Sequence, residues 1–201
     1  SVAHDATSTV RKGQNVILLR PTTAEPGDLF LLLGTKGSPI DWNSPIKVSE
    51  AAFTYLSQSP RGAATPVERL AYFAKSLESP DQTIADDAYG EFAGADYKDI
   101  VKLAHQLEAR TVREWIADPK TNSSRLGLYG LLLGLTGGEE DAAFLKQAIF
   151  APLRAERLGT EGLIAGYLLL AKEDGLSVIE ESRLKSRTCP FTETYAAVQA
   201  V

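Results

Sequence analysis

Two ten-residue segments of the chain match each other at six positions, and three of the shared residues are glycines. The segments are RLGLYGLLLG at 125–134 and RLGTEGLIAG at 157–166. Each glycine inside a helix costs about 1 kcal/mol relative to alanine, so these leucine-rich helices must recover that cost through packing. Because the glycines recur at spacings of three and four, they share one helical face. The pattern predicts a face of small residues that lets neighbouring helices approach closely.

The repeat extends to both sides of these segments. AYGEFAG at 88–94 and TYAAVQA at 194–200 align with LYGLLLG at 128–134. Each of the first three helices is followed by a second amphipathic pattern, at 96–108, 139–150 and 176–184. A two-helix unit that recurs every 30 to 45 residues is typical of an α-solenoid. The predicted fold class is therefore mainly α, a solenoid of helical hairpins.

Helix-start and helix-stop signals fill the chain from residue 46 to residue 201. Thr65, Pro66 and Glu68 form a complete capping box. Ser79 and Pro80 repeat the device before the helix that contains AYGEFAG, and Pro190 precedes the last helix. We expect residues 46–201 to form a helical repeat domain.

The first 45 residues have a different pattern. Two short apolar runs, Val16–Leu19 and Leu29–Leu33, are separated by a segment rich in proline, threonine and glycine. Short apolar runs bounded by turn residues indicate strands, so the runs predict an antiparallel hairpin within 14–34, followed by irregular chain at 34–45. An isolated hairpin is marginally stable in water. Residues 1–45 are therefore expected to be a β-rich segment that belongs to a larger β domain.

Composition excludes several functional classes. The net charge is −5 and there is no basic block, which argues against a nucleic-acid partner. The longest apolar run is shorter than the roughly 18 residues that a transmembrane helix requires. The single cysteine, Cys189, leaves no intrachain disulfide. Because the sequence begins at Ser1, contains no methionine and ends within a helical pattern, the chain is expected to be part of a longer product.

Residues suited to catalysis or metal binding are few. His4 and His105 have no metal-ligand spacing, and Cys189 has no basic neighbour in sequence, which favours a packed thiol. Asp87 and Glu91 share a helical face. An acidic helix face is usually solvated, although paired carboxylates also serve in Ca²⁺ binding and acid–base chemistry. We predict no catalytic residue, no metal site and no cofactor.

Arg125 and Arg157 occupy the same repeat position at a helix start. A cation is unfavourable there, so each arginine is expected to form a salt bridge with an acid of the adjacent unit. The alternative is a ligand site between helix layers. Its candidate residues are Asp86, Tyr89, Arg125 and Tyr129.

The repeats resemble HEAT-like repeats of the phycobilin-lyase type. The whole chain is similar to a group of uncharacterised bacterial proteins in which a β-rich N-terminal region ends in a PGDLFLLLG-like strand, here Pro26–Gly34. Helices with DAYGEFA and RLGLYGLLLG motifs follow, here Asp87–Ala93 and Arg125–Gly134. The resemblance implies a HEAT-like fold and an extracytoplasmic location, in the periplasm or secreted, and it implies no activity.

Two functions remain open. The first is a non-enzymatic module for protein–protein interaction or scaffolding, as one subunit of a larger assembly. The second is a protein that handles a small ligand or chromophore in a pocket between helix layers. The last helix favours the first function, because Ala196, Ala197, Val198, Ala200 and Val201 provide no polar cap. We expect it to leave an apolar edge for a protein partner.

Overall fold

The computed structural model describes residues 13–18, 23–35, 37, 40–60, 64–151 and 158–201. This part of the chain is mainly helical, with a small amount of sheet near the N-terminus, as the sequence predicts. Its helices are α1 (Glu50–Gln58), α2 (Pro66–Ala74), α3 (Gln82–Ala93), α4 (Tyr97–Ala104), α5 (Ala109–Ala117), α6 (Leu126–Thr136), α7 (Glu139–Phe150), α8 (Thr160–Ile179) and α9 (Phe191–Ala200).

The N-terminal strands form two antiparallel sheets of two strands each, which follow one another as a ribbon. Strand β1 (Leu29–Leu31) pairs with β4 (Ile46–Val48), and β2 (Gly34–Thr35) pairs with β3 (Asp41–Trp42). A backbone hydrogen bond of 2.8 Å from the Asn43 N–H to the Leu33 carbonyl joins the two pairs. Strand β1 contacts α1, which attaches the ribbon to the helices.

This ribbon corrects the predicted hairpin. Residues 16–18 are not in a strand, and Leu19 lies outside the described residues. The second predicted run does form β1, but its partner comes from residues 46–48, beyond the region that was expected to contain strands. The segment 34–45, predicted to be irregular, contains β2 and β3. The inner pair explains this choice, because only the five residues 36–40 connect β2 to β3, whereas the predicted hairpin needed the nine residues 20–28. Hairpin loops usually have two to five residues.

The helix starts depend on side-chain caps. The predicted capping box at Thr65 is confirmed, with both reciprocal hydrogen bonds present. The predicted cap of α3 at Ser79 is wrong by two residues. Asp81 is the cap, because its carboxylate accepts hydrogen bonds from the N–H groups of Thr83 and Ile84. Asp96, which precedes α4, makes no side-chain capping bond within the described chain.

Helix α8 is interrupted by a sharp change of direction at Lys172. The backbone there has φ 50° and ψ −130°, a conformation that costs a non-glycine residue about 1–3 kcal/mol. Two helical limbs result, and the second continues into a π-helical turn at Glu180–Leu184. This second limb contains the amphipathic segment 176–184 that the sequence predicts as a separate helix.

Helices α6 and α8 meet through their glycines, as the repeat predicts. A methyl group added at Gly130 would lie 2.6 Å from the carbonyl oxygen of Gly162 and from the backbone nitrogen of Leu163. A methyl group at Gly134 would lie 2.6 Å from the Gly166 carbonyl oxygen. Real side chains essentially never approach this closely, so the two backbones are in contact. The glycines are therefore structural.

The contacting glycines are equivalent positions of the two repeat units. Gly127 faces Gly159, and further along the helices Gly130 faces Gly162 and Gly134 faces Gly166. Because the residue numbers of the paired glycines increase in the same direction along both helices, the helices run parallel. Because each helix uses the same face, they are related by an approximate two-fold rotation. Helix α7 lies against α8 and connects the two.

A continuous apolar core runs from the ribbon to the last helix. Its fully buried side chains include Leu77, Tyr129, Leu132, Leu145 and Ile164. Helix α9 packs on α8 through Ala196 and Ala197. Within the described ranges, none of the helices has both the length and the hydropathy needed to cross a membrane.

Candidate functional site

Arg125 is a buried cation at the centre of a polar network between α2, α3 and α6. It ends the 3-10 turn Ser123–Arg125 directly before α6, and its side chain is only 4% exposed. A buried charge is costly unless it is paired and hydrogen-bonded. The network therefore has to neutralise this guanidinium.

Three acceptors surround the Arg125 guanidinium. Nη1 donates to the Leu77 carbonyl oxygen at 2.9 Å and lies 3.5 Å from Oε1 of Glu78. Nη2 donates to Oδ1 of Asp86 at 2.8 Å. The predicted salt bridge to an acid of another unit is thus confirmed for Arg125, whereas Arg157 lies outside the described residues. The same contacts join the chain that follows α2 to the starts of α3 and α6.

Tyr129 completes the network one helical turn after Arg125. Its hydroxyl donates to Oε1 of Glu78 at 2.5 Å, and its ring is fully buried. The Trp115 ring packs on it with a centroid distance of 5.1 Å. These contacts hold Tyr129 in one orientation, so Glu78 is fixed by both Arg125 and Tyr129.

Burial and pairing change the pKa values of these groups. Burial raises the pKa of Tyr129 far above its usual value, and the hydrogen bond to Glu78 raises it further. The pKa of Asp86 is lowered, first by the hydrogen bond from Gln82 and then by Arg125. Burial opposes the charge on Arg125, but the bond to Asp86 and the nearby acids raise its pKa overall. The tyrosine is therefore neutral and the arginine charged throughout the physiological pH range.

The structure brings together the four residues predicted as ligand candidates. Arg125 binds Asp86 directly, Tyr129 binds Glu78 beside Arg125, and the Tyr89 hydroxyl donates to the Ser124 carbonyl oxygen at 3.1 Å. Each of these side chains has a protein partner, although the buried Nε of Arg125 makes no hydrogen bond within the described part of the chain. A ligand would have to displace the existing bonds. Ligand binding by this set stays a prediction.

Sequence reasoning missed Glu78 and the Leu77 carbonyl. Both lie just after the end of α2, more than forty residues before Arg125, and no spacing rule connects them. These residues meet Arg125 only through a tertiary contact, which leaves no pattern in the sequence. A buried cation at a helix start predicts that an acceptor exists, without locating it.

The other candidate residues do not converge. Asp87 accepts a hydrogen bond from the Tyr55 hydroxyl at 2.9 Å, whereas Glu91 pairs with Arg69 at 2.7 Å. His105 is the exposed C-cap of α4, and Cys189 is half-buried before α9. His4 lies outside the described residues. Among the residues whose placement is described, no three His, Cys, Asp or Glu side chains form a group suited to a metal ion.

A second arginine, also missed from the sequence and with a side chain only 12% exposed, attaches the last helix. Arg183 forms an ion pair of 2.5 Å with Glu193 and donates to the Ile149 carbonyl oxygen at 3.0 Å. Its guanidinium lies 4.7 Å above the centre of the Phe150 ring, a favourable cation–π distance. Like Arg125, Arg183 binds a carbonyl near a helix C-terminus together with a carboxylate.

The opposite side of α9 is an exposed apolar face, formed by Phe191, Tyr195 and Val198. Their exposed fractions are 80%, 54% and 61%, and the two aromatic rings stack with a centroid distance of 6.1 Å. The residues recur at i, i+4 and i+7, so they share one side of the helix. The other exposed residues of α9, Thr192 and Gln199, are uncharged. The last helix therefore has an exposed apolar edge, as predicted, but of the residues named from the sequence only Val198 and Val201 are exposed, whereas Ala196 and Ala197 are buried.

Comparisons with protein families, with curated proteins and with solved structures gave no match to this chain.

Proposed function

We propose that the chain is a non-enzymatic module for protein–protein interaction or scaffolding, whose contact surface is the apolar face of α9. The supporting observation is the exposure of Phe191, Tyr195 and Val198 on a helix with no exposed charge. Interface cores are depleted of charged residues and enriched in aromatic ones. A contiguous apolar surface of this kind marks interaction sites.

The network on the inner side of α9 supports this proposal. Arg183, Glu193 and the buried Ala196 and Ala197 hold the helix against the core. The exposed rings are therefore presented by a fixed helix, which lowers the entropy lost when a partner binds. The partner is a protein or an additional subunit of an assembly.

The proposal includes a HEAT-like arrangement of helical hairpins and an extracytoplasmic location. The sequence match between 125–134 and 157–166 supports a repeated helical unit. The location depends on the sequence resemblance alone. Measuring the distribution of the full-length product between cell fractions tests it.

Site-specific photo-crosslinking in the native cell tests the contact surface. A photoreactive phenylalanine analogue at position 195 should give one discrete crosslinked product. The same analogue at position 97 is the matched control, because Tyr97 on α4 is also 54% exposed. We expect no discrete product from position 97.

Two outcomes would overturn the proposal. One is that position 195 gives no product although the protein is folded and abundant. The other is that positions 195 and 97 give the same products in the same yield, since this would indicate random collisions. Identification of the crosslinked species by mass spectrometry distinguishes a different protein from a second copy of the chain.

A further inference from the structure

A groove of about 360 Å³ lies between α2, α4 and α5, away from the apolar face of α9. Its lining is largely apolar, with Ala71 and Ala74 from α2, Leu103 from α4, and Val112 and Trp115 from α5. Small-molecule sites are mostly apolar clefts of roughly 300–1,000 Å³. The groove is at the small end of this range, a volume suited to a compact ligand.

Polar side chains line the same groove, and two of them carry opposite charges. Lys75 is the exposed C-cap of α2, and Glu108 precedes α5 without capping it. Within the described part of the chain, neither side chain takes part in an ion pair or hydrogen bond. The arginines Arg69, Arg113 and Arg183, by contrast, are each paired with an acid. A ligand in this groove meets one cation and one anion that are both available.

Trp115 is the large aromatic side chain of the groove, and it is held in place from behind. It packs on Tyr129, whose hydroxyl is bound to Glu78. The indole therefore has a fixed orientation before a ligand arrives. Planar rings pack on such a surface in offset-stacked or edge-to-face geometry, worth about 0.5–1.5 kcal/mol beyond burial.

We propose that the groove binds a small zwitterion with a planar aromatic ring, the chemistry of an aromatic amino acid. The ring packs on Trp115 and the apolar floor, the ligand carboxylate pairs with Lys75, and the ligand ammonium pairs with Glu108. A ligand with a single charge would meet one like charge and leave it unpaired. The zwitterion is complementary to both.

Titration calorimetry and saturation-transfer NMR with four indole compounds test the proposal. Tryptophan carries both charges, indole-3-acetate only the negative charge, tryptamine only the positive charge, and indole neither. Because the two charged side chains are exposed, each pair contributes little. We expect tryptophan to bind with a dissociation constant on the order of 1 mM, about twofold to fivefold tighter than either singly charged compound.

Matched variants locate the binding. Ala71→Leu adds a side chain into the groove and should weaken tryptophan binding at least about tenfold. Ala143→Leu makes the same change on the outer side of α7 and should leave binding unchanged. Lys75→Ala should weaken tryptophan and indole-3-acetate about twofold to fivefold without weakening tryptamine. Glu108→Ala should affect tryptophan and tryptamine and spare indole-3-acetate.

Each remaining outcome overturns the proposal. No binding of any compound at about 20 mM removes the site. If indole and tryptophan bind with equal affinity, the two charges of the ligand do not contribute to recognition. If tryptophan binds Ala71→Leu as well as the wild-type protein, the ligand binds elsewhere. Shift changes along the groove that depend on protein concentration, with none on adding the compounds, would identify a second copy of the chain as the occupant.

Discussion

Helices α3 and α6 carry the same Tyr-Gly-x-x-x-Gly pattern but use it differently. In α6, Gly130 and Gly134 touch the backbone of α8, whereas a methyl group added at Gly90 of α3 would have no neighbour within 4 Å in the described part of the chain. The preceding tyrosines differ in the same way. Tyr129 is fully buried and Tyr89 is half-buried. The comparison shows that small residues pack closely only when a second helix offers a matching small face.

The largest effect is expected at the α6–α8 contact. Gly130→Leu should lower the free energy of unfolding by at least about 3 kcal/mol, because the side chain meets backbone atoms that cannot rotate away. Urea denaturation measures the change. Gly90→Ala is the matched control in α3, and it should stabilise the protein by up to about 1 kcal/mol. A loss of stability in both variants would mean that the two faces are equally packed.

Arg125 joins the two regions, so its removal should have the second largest effect. Arg125→Ala removes the 2.9 Å hydrogen bond to the Leu77 carbonyl and the cation that pairs with Asp86 and Glu78, and we expect a loss of about 2 to 3 kcal/mol. Arg110→Ala breaks an exposed pair with Glu114 and should change stability by less than about 0.5 kcal/mol. Equal losses in thermal or chemical denaturation would contradict the assigned role of Arg125.

The equivalent tyrosines sharpen the comparison further. Tyr129→Phe removes a hydroxyl that is bonded to a carboxylate, and should cost about 1.5 kcal/mol. Tyr89→Phe removes an exposed bond to the Ser124 carbonyl and should cost less than about 0.5 kcal/mol. Denaturation curves of the two single variants give the difference directly. A larger cost at Tyr89 would reverse the assignment of buried and exposed faces.

The smallest expected effect is on the pH dependence of the free energy of unfolding. The folded-state pKa of Asp86 lies below its unfolded value near 4, so its contribution to stability is present above that pH and is lost as the pH falls through the folded pKa. The difference in unfolding free energy between the wild-type protein and Asp86→Asn should therefore shrink below about pH 4. A difference that stays constant from neutral to acid pH would show that the Asp86 charge does not contribute.

Two structural features that depend on residues close together in the sequence were predicted correctly. The capping box at Thr65 and the glycine face of α6 both depend on residues within two turns of one another, and both are confirmed. The hairpin failed because strand pairing depends on which later segment is available. Ile46–Val48 is too short to stand out beside a helix start.

Tertiary partners were beyond the reach of spacing rules. The salt bridge of Arg125 was predicted from the helix dipole, but Glu78 is separated from it by three helices. The groove was also missed, since its walls come from α2, α4 and α5, and each helix contributes apolar positions that are ordinary for a core-facing helix. Its two opposite charges, Lys75 and Glu108, line one groove only when the helices are assembled.

The two-fold relation between α6 and α8 limits how far this contact can grow. In an array that can grow without limit, every unit has two different contact surfaces. Each added unit uses one of them and leaves the other free for the next unit. Here the two glycine surfaces occupy each other, whereas the related face of α3 has no neighbour at Gly90 within the described part of the chain. Helix α9 carries Ala196 and Ala200 at the corresponding positions and is fastened by Arg183 and Glu193 instead. The contact between α6 and α8 is therefore limited to two helices, because the two-fold relation uses the same surface of each.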